Sequence, residues 1–294
     1  MVAMTVGALH RFPVKSMRGE SLDACTIGPA GVVGDRAYAL VDDEDGRVAS
    51  AKNPRKWGAL LGFRAAFVDE PVLGAPIPPA TVTLPDGTET RTDAADVDAV
   101  LSKVLGRNVH LADAPPDAGS FEEVWPDIEG LAPEEFVAST TVDHEPSGEA
   151  VSAIPLGMFA PPGTFFDLST IHLLTTATLR RLSGTAPAAT FDVRRYRPNV
   201  LVEVDGDEFA ENGWVGRTVR LGSAAEVVVA LPTMRCVMTT LAQDDLPRDR
   251  STLRAIAAAN RLEIAGLGTW ACAGVYGNVD APGEVRVGDP VALV

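Results

Sequence analysis

No hydrophobic pattern in this chain is sustained for long, and that most constrains its fold. Short β-branched or alternating runs recur at Val2–Arg11, Asp23–Ile27, Tyr38–Asp42, Leu60–Val68, Thr81–Leu84, Ile171–Leu174, Val200–Val204, Gly216–Leu221, Glu226–Leu231, Gly274–Val279 and Val285–Val294. Turn residues separate them, as at Asp42–Arg47, Pro85-Asp86-Gly87-Thr88 and Ala281-Pro282-Gly283. Helical spacing shows at Asp93–Gly106, where Val97, Val100, Leu101, Val104 and Leu105 share a face and Gly106 is placed to cap. Shorter helices are expected at Ala177–Leu182, behind Thr175 or Thr176 as N-cap, and at Leu253–Asn260. Helices do not alternate regularly with strands, which argues against a doubly wound parallel sheet. The expected fold is mainly β (α+β), two β-barrel-like units with a few peripheral helices. Their expected spans are 1–115 and 151–294. The acidic, Pro-rich stretch 116–150 reads as a connection or long loop.

The net charge of −15 over 294 residues argues against nucleic acid as a partner, since phosphate backbones are bound by basic faces. A local basic pocket would therefore stand out. Cys25, Cys236 and Cys272 lie far apart and form no C-x-x-C pair, so neither a disulfide framework nor a structural zinc or iron–sulfur site is expected. The N-terminus lacks the basic and long apolar segments of a signal peptide, and no apolar run reaches bilayer length. The expectation is a cytoplasmic protein with no membrane partner.

Candidate chemistry centres on Leu231–Thr240, which reads L-P-T-M-R-C-V-M-T-T. Pro232 should end or edge the strand before it. Cys236 then falls in a strand-end loop, beside Arg235 and ahead of a second β-prone run, Val237–Leu241. An adjacent guanidinium favours the thiolate, the form that ligates metals; the plainer alternative is a buried structural thiol. Lys15, Ser16, Arg36, Thr175, Thr176, Arg197 and Asn199 also sit at expected strand ends, where a rigid frame presents ligand groups. Lys and Arg offer charge-assisted bonds to phosphate, while Asn and Thr offer mixed donors and acceptors. Together they suit an anionic, heteroatom-rich cofactor with a soft ligand for a metal. Each has a duller reading: Lys15 and Arg36 as surface charges, Arg197 as half of an ion pair, Asn199 as a turn bridge, the threonines as helix caps. His172 lies in an apolar run and reads as a satisfied core residue.

The order of F-P-V-K-S-M-R-G, G-D-R-A-Y, H-L-L-T-T-A-T-L, Y-R-P-N-V-L-V, M-R-C-V-M-T-T and V-R-V-G-D-P-V resembles MOSC-domain proteins with an N-terminal MOSC β-barrel domain, a group that includes the mitochondrial amidoxime reducing components. The resemblance implies a molybdenum cofactor, that is, molybdenum on a pterin dithiolene bearing a phosphate. On that likeness Cys236 matches the catalytic thiolate ligand to the metal. Lys15, Ser16, Arg36, Thr175, Thr176, Arg197, Asn199 and Tyr276 match positions that contact the pterin or its phosphate, with Arg235 beside them. Met234 stands where relatives have a small or polar residue, and Thr176 where they are often acidic. The implied activity is reduction of N-hydroxylated or N-oxygenated small molecules, with electrons from a separate ferredoxin- or flavin-type protein, since no ferredoxin-like cysteine cluster is present. Pyridoxal phosphate attaches to the sequence only at the level of the wider family, whose sulfurases carry a domain not seen here. The alternative is a non-enzymatic carrier of sulfur, as a Cys236 persulfide, or of the cofactor.

Overall fold

The computed structural model describes residues 4–158 and 160–294. Seven strands close on themselves: β1 (Met4–Arg11), β2 (Ile171–Thr175), β3 (Val200–Glu203), β4 (Thr218–Leu221), β5 (Ala225–Met234), β6 (Gly268–Ala281) and β7 (Pro290–Leu293). They run in the order β2-β3-β1-β7-β4-β5-β6, and β6 returns to pair with β2. The β2–β3 pair is parallel, whereas the other staves pair antiparallel. The two-residue side-chain period explains the closed core. Val200 and Val202, Val219 and Leu221, and Val227 and Val229 alternate inward to meet Ile171, Leu173, Val275 and Val291. On β1 the inward residues Val6 and Leu9 are three apart, and a bulge between Val6 and Ala8 restores their common face. A Cβ at Gly274 on β6, at φ 86°, would meet His172 Nε2 at 2.5 Å and the Leu173 carbonyl at 2.8 Å, so β2 and β6 can cross this closely only at glycine.

Strands β5 and β6 continue past the barrel. Pro232 does not end β5, because irregularities in register between Val229 and Leu231 and between Pro232 and Met234 absorb its missing N–H. Val237–Thr240 is a turn of 3-10 helix, not the expected strand. The Thr239 and Thr240 hydroxyls donate back to the carbonyls of Cys236 and Val237 at 3.0 and 2.7 Å, a local pairing that competes with a sheet ladder.

The expected helices are present as Val97–Leu105, Thr176–Thr185 and Ser251–Ala259. The first ends at Gly106 in the left-handed conformation. Leu60–Val68 divides into a 3-10 turn, Gly58–Gly62, and a strand, Arg64–Phe67. Residues 116–150 are not a plain connection. Ser120–Trp125 pairs along its length with Ala150–Pro155, which also pairs with Thr141–His144, and a helix spans Glu134–Thr140. The acidic composition concealed this strand because Glu122 and Glu123 are buried against basic partners: Glu122 takes Lys56 and Arg47, and Glu123 takes Lys52.

The N-terminal half builds small sheets around a core of its own, which includes Met17, Leu40, Trp57, Phe63, Val82 and Leu101. The halves interlock. Residues 4–11 are a stave of the barrel, and the late strand Gly283–Arg286 pairs with Ala24–Gly28.

Candidate functional site

Several chain segments meet beside the end of β5. The Arg195–Asn199 segment, just before β3, sends successive side chains to different tasks. Arg195, buried, donates to the carbonyls of Thr239, Leu241 and Pro247 and so clamps the loop that begins at Cys236. Arg197 donates to the Met17 carbonyl at 2.8 Å and lies 4.0 Å from the Phe12 ring centroid, which ties β3 to the segment bearing Lys15. Asn199 accepts from the His172 N–H at 3.1 Å and donates to Asp35 Oδ2 at 2.8 Å; Asp35 in turn accepts from the Phe12 N–H and pairs with Arg36. Among the described residues five non-glycine positions have positive φ, and Ser16 (65°), Arg36 (50°) and Arg197 (56°) are three of them. Left-handed backbone at such residues is uncommon and clusters at functional sites.

Positive charge accumulates here inside an acidic protein. Lys15 is buried and donates to the Phe165 carbonyl at 2.7 Å and to Asp167. Lys52 pairs with Glu123 at 3.0 Å and lies 3.5 Å from Asp167. Arg36 stacks over Phe12 and Phe166. The Arg235 guanidinium donates to the Tyr196 carbonyl at 3.1 Å and stacks on its ring. Five cations (Lys15, Lys52, Arg36, Arg197 and Arg235) therefore share Asp35, Glu123 and Asp167. Among the described residues no carboxylate lies in pairing distance of Arg197, and burial, reinforced by Arg36, pushes its guanidinium down to about 9. Burial also lowers Lys15 against the pull of Asp167. Lys52 resists its own burial and is held well above the usual value by Asp167 and Glu123.

Cys236 is partly exposed, unlike the buried Cys25 and Cys272. Burial nonetheless raises the pKa of its thiol, with Lys52 and Arg235 pulling it down and Glu123 pushing it up. Arg235 thus pulls toward the thiolate, as expected of an adjacent guanidinium, and desolvation outweighs that pull. A metal would deprotonate the thiol on binding. Among the described residues no three His, Cys, Asp or Glu side chains cluster as a metal-binding set. Among the described residues five buried side-chain polar atoms have no protein partner: Thr170 Oγ1, His172 Nε2, Tyr196 Oη, Thr233 Oγ1 and Arg235 Nε. Tyr196 Oη and Arg235 Nε belong to the stacked pair beside Cys236, and Thr233 precedes it on β5. Native cores leave few such atoms, and a polar ligand would engage them.

Two family models match the chain: the MOSC domain over residues 162–292 and the MOSC N-terminal beta barrel domain over residues 3–108. The chain carries both MOSC domains. This MOSC chain is 24% identical to mitochondrial amidoxime-reducing component 1 of Mus musculus, over 99% of its own length and 82% of the relative's. Two solved structures resemble it distantly. The YUAD protein from Bacillus subtilis is 12% identical, with 99% of this chain and 94% of that one covered and a TM-score of 0.43. YiiM from Geobacillus stearothermophilus is 17% identical, with 43% and 54% covered and a TM-score of 0.30.

Of the residues singled out in the MOSC sequence, the fold gathers Lys15, Arg36, Arg197, Arg235, Cys236 and Tyr276. The Tyr276 ring lies 5.2 Å from that of His172. Other side chains serve the frame. Ser16 Oγ accepts from the Ala51 N–H. Thr175 caps its helix and donates to Glu211 at 2.6 Å. Thr176 bridges the N–H and carbonyl of Val204. Asn199 is occupied by the contacts already described. His172 is buried, but only its Nδ1 is satisfied, by the Arg197 carbonyl at 3.3 Å. Lys52, Glu123, Asp167 and Phe12 escaped sequence reading. Lys52 stands in the loop just before the Asn53-Pro54 helix start, a faint signal; Glu123 was hidden within an acidic stretch.

Proposed function

We propose that this chain binds a molybdenum cofactor through Cys236 and reduces N-hydroxylated or N-oxygenated small molecules, with electrons from a separate donor protein. The supporting observation is the convergence beside Cys236 of buried cations in excess of their carboxylates, along with buried polar atoms that have no protein partner. An anionic pterin phosphate with many heteroatoms fits that donor set. When bound, the cofactor supplies a two-electron metal centre and a position for the oxygen leaving nitrogen. Lys15, Arg36 and Arg197 would hold its anionic end, and the Cys236 thiolate would bind the metal. Lys52 Nζ and the Glu123 carboxyl, 3.0 Å apart, can hold a proton close to the thiol. Burial raises Glu123 above the usual carboxylate range, which suits it to proton donation. Breaking one N–O bond to amine and water consumes two electrons and two protons.

Turnover of an aromatic amidoxime with an artificial electron donor tests the reading. Cofactor-loaded protein should reduce it, and Cys236→Ala should lose at least about a hundredfold in rate, on the scale of losing an essential group. Loaded protein that carries persulfide on Cys236 but reduces nothing would instead mark a carrier.

A further inference from the structure

A second basic hollow opens on the far side of Phe12 and Arg197. It is a cavity of about 190 Å³ with Arg18, Arg64, Arg194 and Arg197 on its wall, and Glu20 and Asp244 are the carboxylates that line it. With Arg194 balanced by carboxylates outside the wall and Glu20 by Arg11, the guanidiniums of Arg18, Arg64 and Arg197 face Asp244 with two positive charges in excess. Glu20 is engaged by Arg11 at 2.8 Å. Asp244 pairs with Arg18 and lies 3.7 Å from both Arg64 and Arg194, so one carboxylate stands among three cations. Arg194 has further partners in Asp192 and Asp245. Among the described residues Arg18 and Arg64 have only carbonyls besides Asp244: Gly62 and Phe63 for the first, Gly19 for the second. Asp244 itself is held at a φ of 48°.

We infer that this cavity binds a phosphate group, which displaces Asp244 from between Arg18 and Arg64. A phosphate dianion matches the two uncompensated charges, and its oxygens suit guanidinium forks better than a single carboxylate does. The volume, about six waters' worth, holds a phosphate and the first atoms of what it is attached to. Such a ligand is a soluble phosphomonoester or a nucleotide extension of the cofactor. The site does not depend on the molybdenum reading, because it can be tested on protein without cofactor.

The test is a titration of cofactor-free protein with inorganic phosphate at constant ionic strength, with chloride as control, read by melting temperature and calorimetry. Wild type should show saturable stabilisation by phosphate and none by chloride. Asp244→Asn keeps a residue that tolerates left-handed backbone and removes the internal competitor, so it should bind about tenfold more tightly. The doubly substituted Arg64→Ala/Arg194→Ala protein, altered at partly exposed positions, should bind at least tenfold more weakly. Arg286→Ala, at an exposed arginine outside both basic clusters, should bind as wild type does. No stabilisation in wild type, wild-type affinity in the double variant, or unchanged or weaker binding in Asp244→Asn would each overturn the inference. If mild acid releases one nucleoside monophosphate per molybdenum from loaded protein, the phosphate belongs to the cofactor; if none is released while phosphate still binds, it belongs to a soluble ester.

Discussion

Glu211 and Arg197 are both charged side chains taken largely out of water, yet the chain treats them differently. Glu211 accepts from the hydroxyls of Thr175 and Thr178 and from the N–H of Gly274, at 2.6, 2.7 and 3.1 Å. Its partners come from β2, the following helix and β6, so the carboxylate knits the barrel to its flank. Arg197 has one carbonyl, one aromatic face and a repelling neighbour in Arg36. A buried charge that serves the frame arrives with its hydrogen bonds complete. One left short of partners, on strained backbone and beside other cations, is positioned for something the chain does not itself supply.

The strongest challenge to that contrast is Glu211→Ala. It should lower unfolding stability by about 3–5 kcal/mol in urea, because three buried donors lose their acceptor at once. A loss below about 1 kcal/mol would erase the distinction. Next comes Asp167, the carboxylate shared by Lys15 and Lys52. Against its burial, those lysines hold it well below the usual carboxylate range. A folded value below the unfolded one gives stability that is complete above about pH 4 and is lost as pH falls. Asp167→Asn should cost about 2–4 kcal/mol at neutral pH and flatten that acid limb, as read from urea midpoints between about pH 2 and 5. The smallest effect sharpens the contrast most. Arg197→Met should leave cofactor-free protein within about 1 kcal/mol of wild type, or more stable, since it removes a buried charge that has no counterion. With the guanidinium lowered to about 9, wild-type stability should rise as pH increases beyond that value, and the variant should lack the rise. The same substitution should reduce cofactor retention at least about tenfold, the loss of roughly one charge-assisted bond.

How far each part was legible in sequence follows from the kind of signal that carries it. Barrel staves announce themselves locally: Val200 and Val202, or Val227 and Val229, display the two-residue period within a few positions. The cap at Gly106 and the Thr175 N-cap were equally local. Closure was not, because the pairing of residues 4–11 with strands near 200 and 290 leaves no mark in either segment. Glu122 and Glu123 misled in the opposite direction, since acidic residues read as solvated unless their distant lysines are known. Within the site, the basic residues and the cysteine were visible as residue types at strand ends. Their division into ligand-facing and frame roles was not, because that depends on which carbonyl or carboxylate each reaches. Thr175 and Asn199 look like ligand donors in sequence, but their side chains are engaged by Glu211 and Asp35.

Molybdenum and pterin measured per chain, in protein purified from a host that makes the cofactor, test the central claim most directly. Wild type should carry about one of each, and Cys236→Ala should lose the metal, as expected of a site that binds it through this thiolate. Wild-type protein that contains neither, or a Cys236→Ala variant with its molybdenum undiminished, would contradict the account.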